Sequence, residues 1–476
     1  MTISPLTRHF YGRQEELQAL NAVIQRPGAQ FVIVYGRRRV GKTTLLLKWG
    51  EQSKLPTVYW AAVRGTLTNL RQQFTQAMWR TLAPELPPPT FDSWEALFEN
   101  LIALAGEHRL LVIMDEFPWV SEADPSLSSR LQNLWDHRLK GTNLILVLAG
   151  SHIGMMSRLF EYQSPLYGRF TAQLLVKPLP FETLAMFLPR YEIERRISTY
   201  AVVGGIPAYL ELWRDDLTIA ANLKTQVMSP TGIFRNEPFF LLSDQVSEPR
   251  NFIAAIRAIG RGNHTLGEIA TNMGLPKHQV SVYLDRLQDL RMVERRLPVT
   301  VPPEKRSRSH QGRYHLLDHY HRFHFRFIDA NLDLLEQGRV DQVWDRIEDQ
   351  FRAFIGVTAF EEVCREWIWR QADQKRLPFM PDRVGSHWGA GIQIDIAAIN
   401  WSEKWLLLGE CKWGLNRLKA HEVSELAEKI KGFAEKDFGD WQVQYLLFAR
   451  AGLTDAARNV AKQNGIEVIE LDRLEK

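Results

Sequence analysis

The stretch Gly36-Arg37-Arg38-Arg39-Val40-Gly41-Lys42-Thr43 limits what this chain can fold into more than any other. It has the spacing G-x-x-x-x-G-K-T. The apolar run Phe31-Val32-Ile33-Val34-Tyr35 precedes it, and Thr44-Leu45-Leu46-Leu47-Lys48-Trp49 follows it. The first run reads as a buried strand and the second as the start of a helix. A strand that turns through glycines into a helix converges backbone N–H groups and the positive end of the helix dipole on one point. That point suits a triphosphate. Lys42 is placed to reach the β and γ phosphates and Thr43 to hold Mg²⁺. Gly36, Arg37, Arg38, Arg39, Val40, Gly41 and Thr44 complete the cradle.

A glycine turn of this kind can arise by chance, but a second motif argues against it. Leu110-Leu111-Val112-Ile113-Met114 is another buried-strand run, and it ends in Asp115-Glu116. An acid pair at the carboxyl end of a parallel strand can hold a metal through Asp115 and polarise an attacking water through Glu116. A third run, Leu144 to Ala149, leads into Gly150-Ser151. Ser151 is either a γ-phosphate sensor or a plain strand cap. Arg169, in the turn Ser164-Pro165-Leu166-Tyr167-Gly168-Arg169, is either an arginine finger or a surface ion pair.

At 476 residues the chain exceeds one hydrophobic core, so about three domains are expected. The net charge of +4 is compatible with a nucleic-acid partner without requiring one. Cys364 and Cys411 are the only cysteines, which excludes a disulfide scaffold and a Cys-type zinc site and points to a reducing compartment. No apolar stretch is long enough for a membrane helix, and Met1-Thr2-Ile3-Ser4-Pro5 lacks the apolar core of a signal peptide. A cytoplasmic protein with no membrane partner is expected.

Up to about residue 180, strands and helices alternate as in a parallel α/β sheet, with strands at Phe31–Tyr35, Val58–Ala61, Leu110–Met114, Leu144–Ala149 and Gln173–Val176. Phe10-Tyr11-Gly12-Arg13-Gln14-Glu15-Glu16-Leu17, the glycine loop and Asp115-Glu116, taken in order, resemble the AAA+ and STAND-like archaeal-type ATPases over residues 8–240. The resemblance implies adenine specificity, hence ATP. In that family a Gly-Arg-x-x-Glu-Leu box folds against the base. Val203-Gly204-Gly205-Ile206-Pro207 resembles the family's Gly-x-Pro element, which contacts nucleotide phosphates from the lid.

Leu266, Ile269, Ala270 and Met273 share one helical face, Gly274 ends that helix, and Pro276 opens another with the face Val280, Leu284, Leu287, Leu290. Helix, glycine turn, helix is the outline of a DNA-reading module, exposing Lys277, His278, Gln279, Ser281 and Arg286. Val293–Leu297 and Arg313–Leu316 can pair as a wing. The proline-broken stretch between them, 298–312, reads as a flexible loop. With Arg295 and Arg296, its Lys305, Arg306 and Arg308 would form a mobile phosphate-binding patch. The alternative is a winged helix that only holds other domains together. The histidines of Tyr320-His321-Arg322-Phe323-His324-Phe325 read as packing residues rather than metal ligands.

Near the end, Gln393-Ile394-Asp395-Ile396-Ala397-Ala398-Ile399 and Trp405 through Trp413 read as two strands joined by a hairpin at Asn400-Trp401-Ser402-Glu403. Residues two apart share a face, so Glu410 and Lys412 point one way, and the hairpin can bring Asp395 beside Glu410. Two carboxylates and a lysine make a site for Mg²⁺, or Mn²⁺ in its place, and a water nucleophile. Glu361 or Glu362 could add a further metal ligand. The set resembles the PD-(D/E)xK nuclease domain over residues 355–476, of the DUF234 type that follows archaeal-type ATPases. It departs at Gln393, where relatives often carry Glu.

The expectation is therefore an α/β multidomain chain: an AAA+-like P-loop ATPase core (1–180), a helical lid (181–248), a winged helix-turn-helix (249–316), a helical connector (317–354) and a restriction-endonuclease-like α/β domain (355–476). Its expected partners are ATP, nucleic acid (DNA foremost) and further copies of itself. Lys42, Thr43, Asp115, Glu116, Ser151 and Arg169 would serve the ATPase, and Asp395, Glu410 and Lys412 a metal-dependent nuclease. Two other readings stay open. One is a nucleotide-switched DNA-binding regulator with a silent C-terminal domain, and the other is a protein-remodelling ATPase that DNA does not stimulate.

Overall fold

The computed structural model describes residues 10–243, 245–246, 248–389 and 391–475. The stretch Met1–Pro5, read above for its lack of an apolar core, lies outside the described residues. The chain forms two compact units. One comprises the described residues through Leu179 together with Ile206–Tyr209 and residues 245–246. The other comprises Pro180–Gly205, Leu210–Ser243 and Glu248 onward.

The first unit is built on five parallel strands: β1 (Gln30–Tyr35), β2 (Thr57–Ala61), β3 (Leu110–Asp115), β4 (Leu144–Gly150) and β5 (Ala172–Leu175). Their order across the sheet is β2-β3-β4-β1-β5. β1, β3 and β4 are buried at every position, as central parallel strands covered by helices on both faces must be. The helices have local start signals. Thr66 accepts from the Asn69 N–H ahead of Leu67–Leu82, and Ser93 accepts from the Ala96 N–H ahead of Trp94–Ala105. Phe74, Trp94, Phe98 and Trp135 pack against Phe31, Ile33 and Val112 of the sheet.

The second unit holds most of the segment read as a helical lid, 181–248. Contacts within the unit hold it. Glu366 accepts from the Tyr200 hydroxyl at 2.8 Å and the Phe181 N–H at 2.9 Å, and Arg450 pairs with Glu194 at 2.5 Å. Next come helices Arg250–Gly260, Leu266–Met273 and Lys277–Asp289. Thr265 and Glu268 form a reciprocal capping box, and left-handed Gly274 (φ +65°) ends the helix they start. Val280, Leu284 and Leu287 are fully buried. The antiparallel pair β6 (Val293–Arg296) and β7 (Arg313–Leu316) follows.

The stretch between β6 and β7 differs from the flexible loop expected. It forms a short 3₁₀ turn, Pro303–Arg308, and docks on the C-terminal sheet. Val299 is buried among Ile394, Ile399 and Leu408. Its N–H donates to Ser386, Thr300 bonds His387 at 2.6 Å, and the Trp388 indole donates to the Gln311 carbonyl. A side chain at Gly385 would meet Val299 at 2.7 Å, so the glycine makes room for the docked loop.

From Val340 to Asp373 the chain is continuously helical, with one π-helical turn at Gly356–Phe360. The expected domain start at 355 falls inside this run. The C-terminal sheet follows: β8 (Arg383–Gly389), β9 (Ile392–Asn400), β10 (Trp405–Lys412), β11 (Gln442–Ala449) and β12 (Ile466–Glu470), in the order β12-β11-β10-β9-β8. β8, β9 and β10 pair antiparallel, whereas β10, β11 and β12 pair parallel. Helices Ala420–Phe438 and Asp455–Gln463 supply the crossovers that parallel neighbours require.

Candidate functional sites

The glycine loop begins where β1 ends. A Cβ at Gly36 would lie 2.4 Å from the Val176 carbonyl oxygen, so the strand can turn only with glycine there. Gly41, at φ +91°, occupies backbone space that favours glycine and caps the helix Lys42–Ser53. Lys42 is buried and its Nζ donates to the Arg37 carbonyl at 3.0 Å across the loop. Burial pushes its pKa down, against the pull of Glu116 and Asp115. Arg38, Arg39 and Thr43 stand at the exposed surface of the loop, while Val40 is buried and Thr44 half-buried.

The acids converge on this loop. Thr43 Oγ1 donates to Asp115 Oδ2 at 2.6 Å, and the Tyr59 hydroxyl donates to the same oxygen at 3.1 Å. Glu116 has a left-handed backbone, φ +50°. Its Oε2 accepts from both the Ser151 hydroxyl (2.9 Å) and N–H (3.2 Å). The strand order accounts for this, because β4 lies between β1 and β3 and delivers Ser151 between the lysine and the acids. A threonine hydroxyl and a carboxylate oxygen in contact are hard donors of the kind Mg²⁺ takes. Burial and then Asp115 raise the Tyr59 phenol pKa, so Tyr59 stays a donor.

The Gly-Arg-x-x-Glu-Leu box also reaches the loop. Arg13 is buried, donates to the Val40 carbonyl at 2.8 Å and pairs with Glu16 at 2.6 Å. Tyr209, just past the Gly-x-Pro element, accepts from Arg37 at 2.9 Å, and Pro207 stands against Gly41. Arg169 has the geometry of the ion-pair alternative. It binds Asp136 at 2.7 Å and donates to the Pro165 and Tyr167 carbonyls, so reaching a phosphate would require breaking those bonds.

The C-terminal hairpin pairs Gly409 with Ile396, which brings Asp395 and Glu410 side by side. Asp395 Oδ2 accepts from the Cys411 N–H at 3.0 Å. Glu410 is 3% exposed, with Lys429 Nζ at 2.6 Å and Lys412 Nζ at 3.6 Å. Burial and then Asp395 raise its pKa, and the two lysines oppose the rise. Glu361 does not complete a three-carboxylate cage. It pairs with Arg365 at 2.6 Å, and burial, reinforced by Asp395 and opposed by Arg365, pushes its pKa to about 8. Glu362 points elsewhere, to Arg322 (2.7 Å), His319 (2.8 Å) and Arg296 (3.0 Å). These hold its pKa well below the usual carboxylate range although burial alone would raise it. Among the described residues no group of three or more His, Cys, Asp and Glu side chains is arranged to hold a metal. Two adjacent carboxylates still fit Mg²⁺, which keeps several of its waters.

Lys277, His278 and Gln279 are exposed at the start of the helix Lys277–Asp289, and Arg286 lies 3.9 Å from Asp289. Lys305 and Arg308 are exposed. Arg306 is tied to the Pro298 carbonyl and Arg295 to that of Ser309, and Arg296 is held by Glu294 and Glu362. Three of the five residues of the expected mobile basic patch are therefore held by hydrogen bonds, Arg295, Arg296 and Arg306.

Several partnerships in these sites carry no signal in the sequence. Tyr59 sits on a strand that carries no motif. Lys429 is one charge among many on an amphipathic helix. The partners of Glu362 come from two elements far from it in sequence, Arg296 from β6 and both His319 and Arg322 from the helix His319–Phe323.

A parallel sheet with a glycine-loop lysine facing an Asp-Glu pair defines a P-loop ATPase. The comparisons agree with this class. A profile of an ATPase domain found predominantly in Archaea matches residues 10–212, and one of archaeal and bacterial proteins of unknown function, DUF234, matches 324–430. The chain belongs to the same family as the uncharacterized protein MJECL04 of Methanocaldococcus jannaschii, with 33% identity over 421 residues, 88% of this chain and 90% of that protein. The uncharacterized ATP-binding protein MJ0423 of the same organism is 46% identical over 46 residues, 10% of this chain and 78% of that protein. Among solved structures, the Walker-type ATPase PABY2304 of Pyrococcus abyssi superposes with a TM-score of 0.50 at 20% identity, covering 67% of this chain and 96% of that one, a likeness of fold. No helix among the described residues is long and apolar enough to cross a membrane.

Proposed function

We propose that this protein is an ATP-hydrolysing, DNA-acting ATPase whose C-terminal domain is a metal-dependent nuclease. The observation that carries the reading is the β9–β10 pairing, which sets Asp395 beside Glu410 with Lys412 Nζ 3.6 Å from the Glu410 carboxylate. Asp395 and Glu410 would hold Mg²⁺. The metal, when bound, supplies a Lewis acid and an activated water. Lys412 orients that water or steadies charge on the phosphoryl oxygens.

At the P-loop, Lys42 binds the β and γ phosphates, Thr43 and Asp115 hold the metal, and Glu116 orients the attacking water once Ser151 releases it. The helix-turn-helix and the β6–β7 pair have the order of a winged helix, and they offer Lys277, Gln279 and Arg286 to DNA. In this reading the protein works in the cytoplasm with further copies of itself.

The test is cleavage of linear and circular DNA with Mg²⁺ or Mn²⁺, with and without ATP. Metal-dependent cutting that Asp395→Ala removes supports the nuclease, and Lys42→Ala then reads its dependence on ATP. If no metal or nucleotide condition yields cutting while ATP hydrolysis is intact, the nuclease reading fails. One observation favours the second reading, a nucleotide-switched DNA-binding regulator. Glu410 already has Lys429 at 2.6 Å, and Gln393 supplies no further acid.

A further inference from the structure

Within the second unit a cavity of about 540 Å³ lies between the β6–β7 pair, the helical run Val340–Asp373 and the outer strands of the C-terminal sheet. Small-molecule sites typically measure about 300–1,000 Å³, so it has the room of a nucleotide unit. Five arginines line it: Arg296, Arg313, Arg322, Arg326 and Arg365. Only two carboxylates, Glu361 and Glu362, share the wall with them.

Those two acids are already committed. Glu362 binds Arg296 and Arg322, and Glu361 binds Arg365. Arg313 and Arg326 have no carboxylate within ion-pair distance among the described residues. Arg313 lies 4.9 Å from the centre of the Trp388 ring, and Arg326 donates to the Arg261 carbonyl at 3.3 Å. Two guanidiniums without acids in a concave site call for an anion, and a planar fork suits phosphate oxygens. Trp388, from β8, and Phe354, from the helix Val340–Ile355, add aromatic surface to the lining, where a base can stack.

The cavity borders the acids of the hairpin. Gln393 lines it and lies two residues before Asp395 on β9, hence on the same face. Arg365, also on the wall, reaches the Asp395 carbonyl at 3.4 Å.

We propose that this cavity seats one nucleotide unit of a nucleic-acid strand, its phosphate bound by Arg313 and Arg326, next to the phosphodiester presented to Asp395 and Glu410. The strand assignment rests on the nucleic-acid reading above. A free mononucleotide would offer the same chemistry, and the experiment separates the two.

The full chain carrying Lys42→Ala, to remove nucleotide binding at the P-loop, is titrated against a fluorescein-labelled single-stranded oligodeoxynucleotide. The buffer contains EDTA, and the titration is repeated across a salt series. Adding Arg313→Ala and Arg326→Ala should weaken binding about 10-fold or more and flatten the salt slope by about 1.4, two contacts at about 0.7 each. Arg313→Lys with Arg326→Lys should restore the slope. Unchanged affinity and slope in the alanine pair, with its unfolding temperature intact, overturns the pocket. In a second arm AMP is titrated calorimetrically. AMP that the oligonucleotide displaces supports the strand assignment, and AMP that it fails to displace overturns it. If binding is lost in the alanine pair while no metal yields cleavage, the pocket stands and the nuclease reading falls.

Discussion

The two acid pairs of this protein are held in opposite ways. At the P-loop, hydroxyls satisfy the carboxylates: Thr43 and Tyr59 on Asp115, Ser151 on Glu116. In the C-terminal hairpin, cations surround them: Lys429 and Lys412 on Glu410, and Arg365 on the adjoining Glu361. A hydroxyl satisfies a carboxylate without cancelling its charge, so the first pair keeps a field that Lys42 already feels without a direct ion pair and that a further cation can share. The second pair is close to neutral as it stands, and a metal must compete with ammonium groups for it. Strand geometry underlies the contrast. Parallel β1, β3 and β4 gather residues at one end of a sheet, where loops meet. An antiparallel hairpin sets its acids just beyond the last pair of its ladder, with a lysine of the helix Ala420–Phe438 against Glu410.

The comparison predicts unequal losses. The largest falls on hydrolysis. Lys42→Ala should lower ATP turnover about 10²–10³-fold, the range seen when a preorganised charge is removed, measured as phosphate release. Retention of turnover would place the working phosphate site elsewhere. Next is Lys429→Met, which leaves Glu410 buried with only the more distant Lys412. It should cost about 2 kcal/mol in denaturant unfolding, below the buried-pair range because Lys429 is 35% exposed. No loss would mean that Glu410 is not held by charge.

Acid should strike the second unit through its histidines. Burial lowers His324 from 6.5 to about 3, so the unfolded chain binds the proton first and stability falls as pH drops below 6.5. From pH 7 to pH 5 this histidine should cost about 2 kcal/mol, and His324→Gln should flatten the profile by that amount. A profile equally steep in the variant would assign the acid sensitivity to other groups. The smallest effect is Tyr59→Phe. The loss of one donor to Asp115 should cost about 1 kcal/mol by thermal unfolding, with Mg²⁺ narrowing the gap between variant and parent. A gap that Mg²⁺ leaves unchanged would show that Tyr59 does not act on a cation bound at Asp115.

The strands of the first unit were readable because fully buried parallel strands are unbroken apolar runs. Phe31–Tyr35 and Leu110–Met114 need no partner information to be recognised. The meeting of Asp395 with Glu410 was readable from strand alternation and a short turn. The docking of residues 298–312 was not, because it depends on Val299 filling space left by Gly385, far along the chain. The arginine-lined cavity was hidden for the same reason. Arg313, Arg326 and Arg365 belong to three elements and share no spacing.

The π-helical turn at Gly356–Phe360 acts as a phase adjuster. An α-helix advances about 100° per residue, so the residue such a turn accommodates decides the direction of everything after it. Removing one residue there would let the helix run unbroken and swing the following acids about 100° around its axis. Glu361 would swing away from Asp395, carrying along Arg365, its partner one turn further on the same helix, and Glu362 would leave Arg296, His319 and Arg322, with neither side chain altered. Sequence length within this one turn should therefore be as intolerant of change as the identity of the acids it aims.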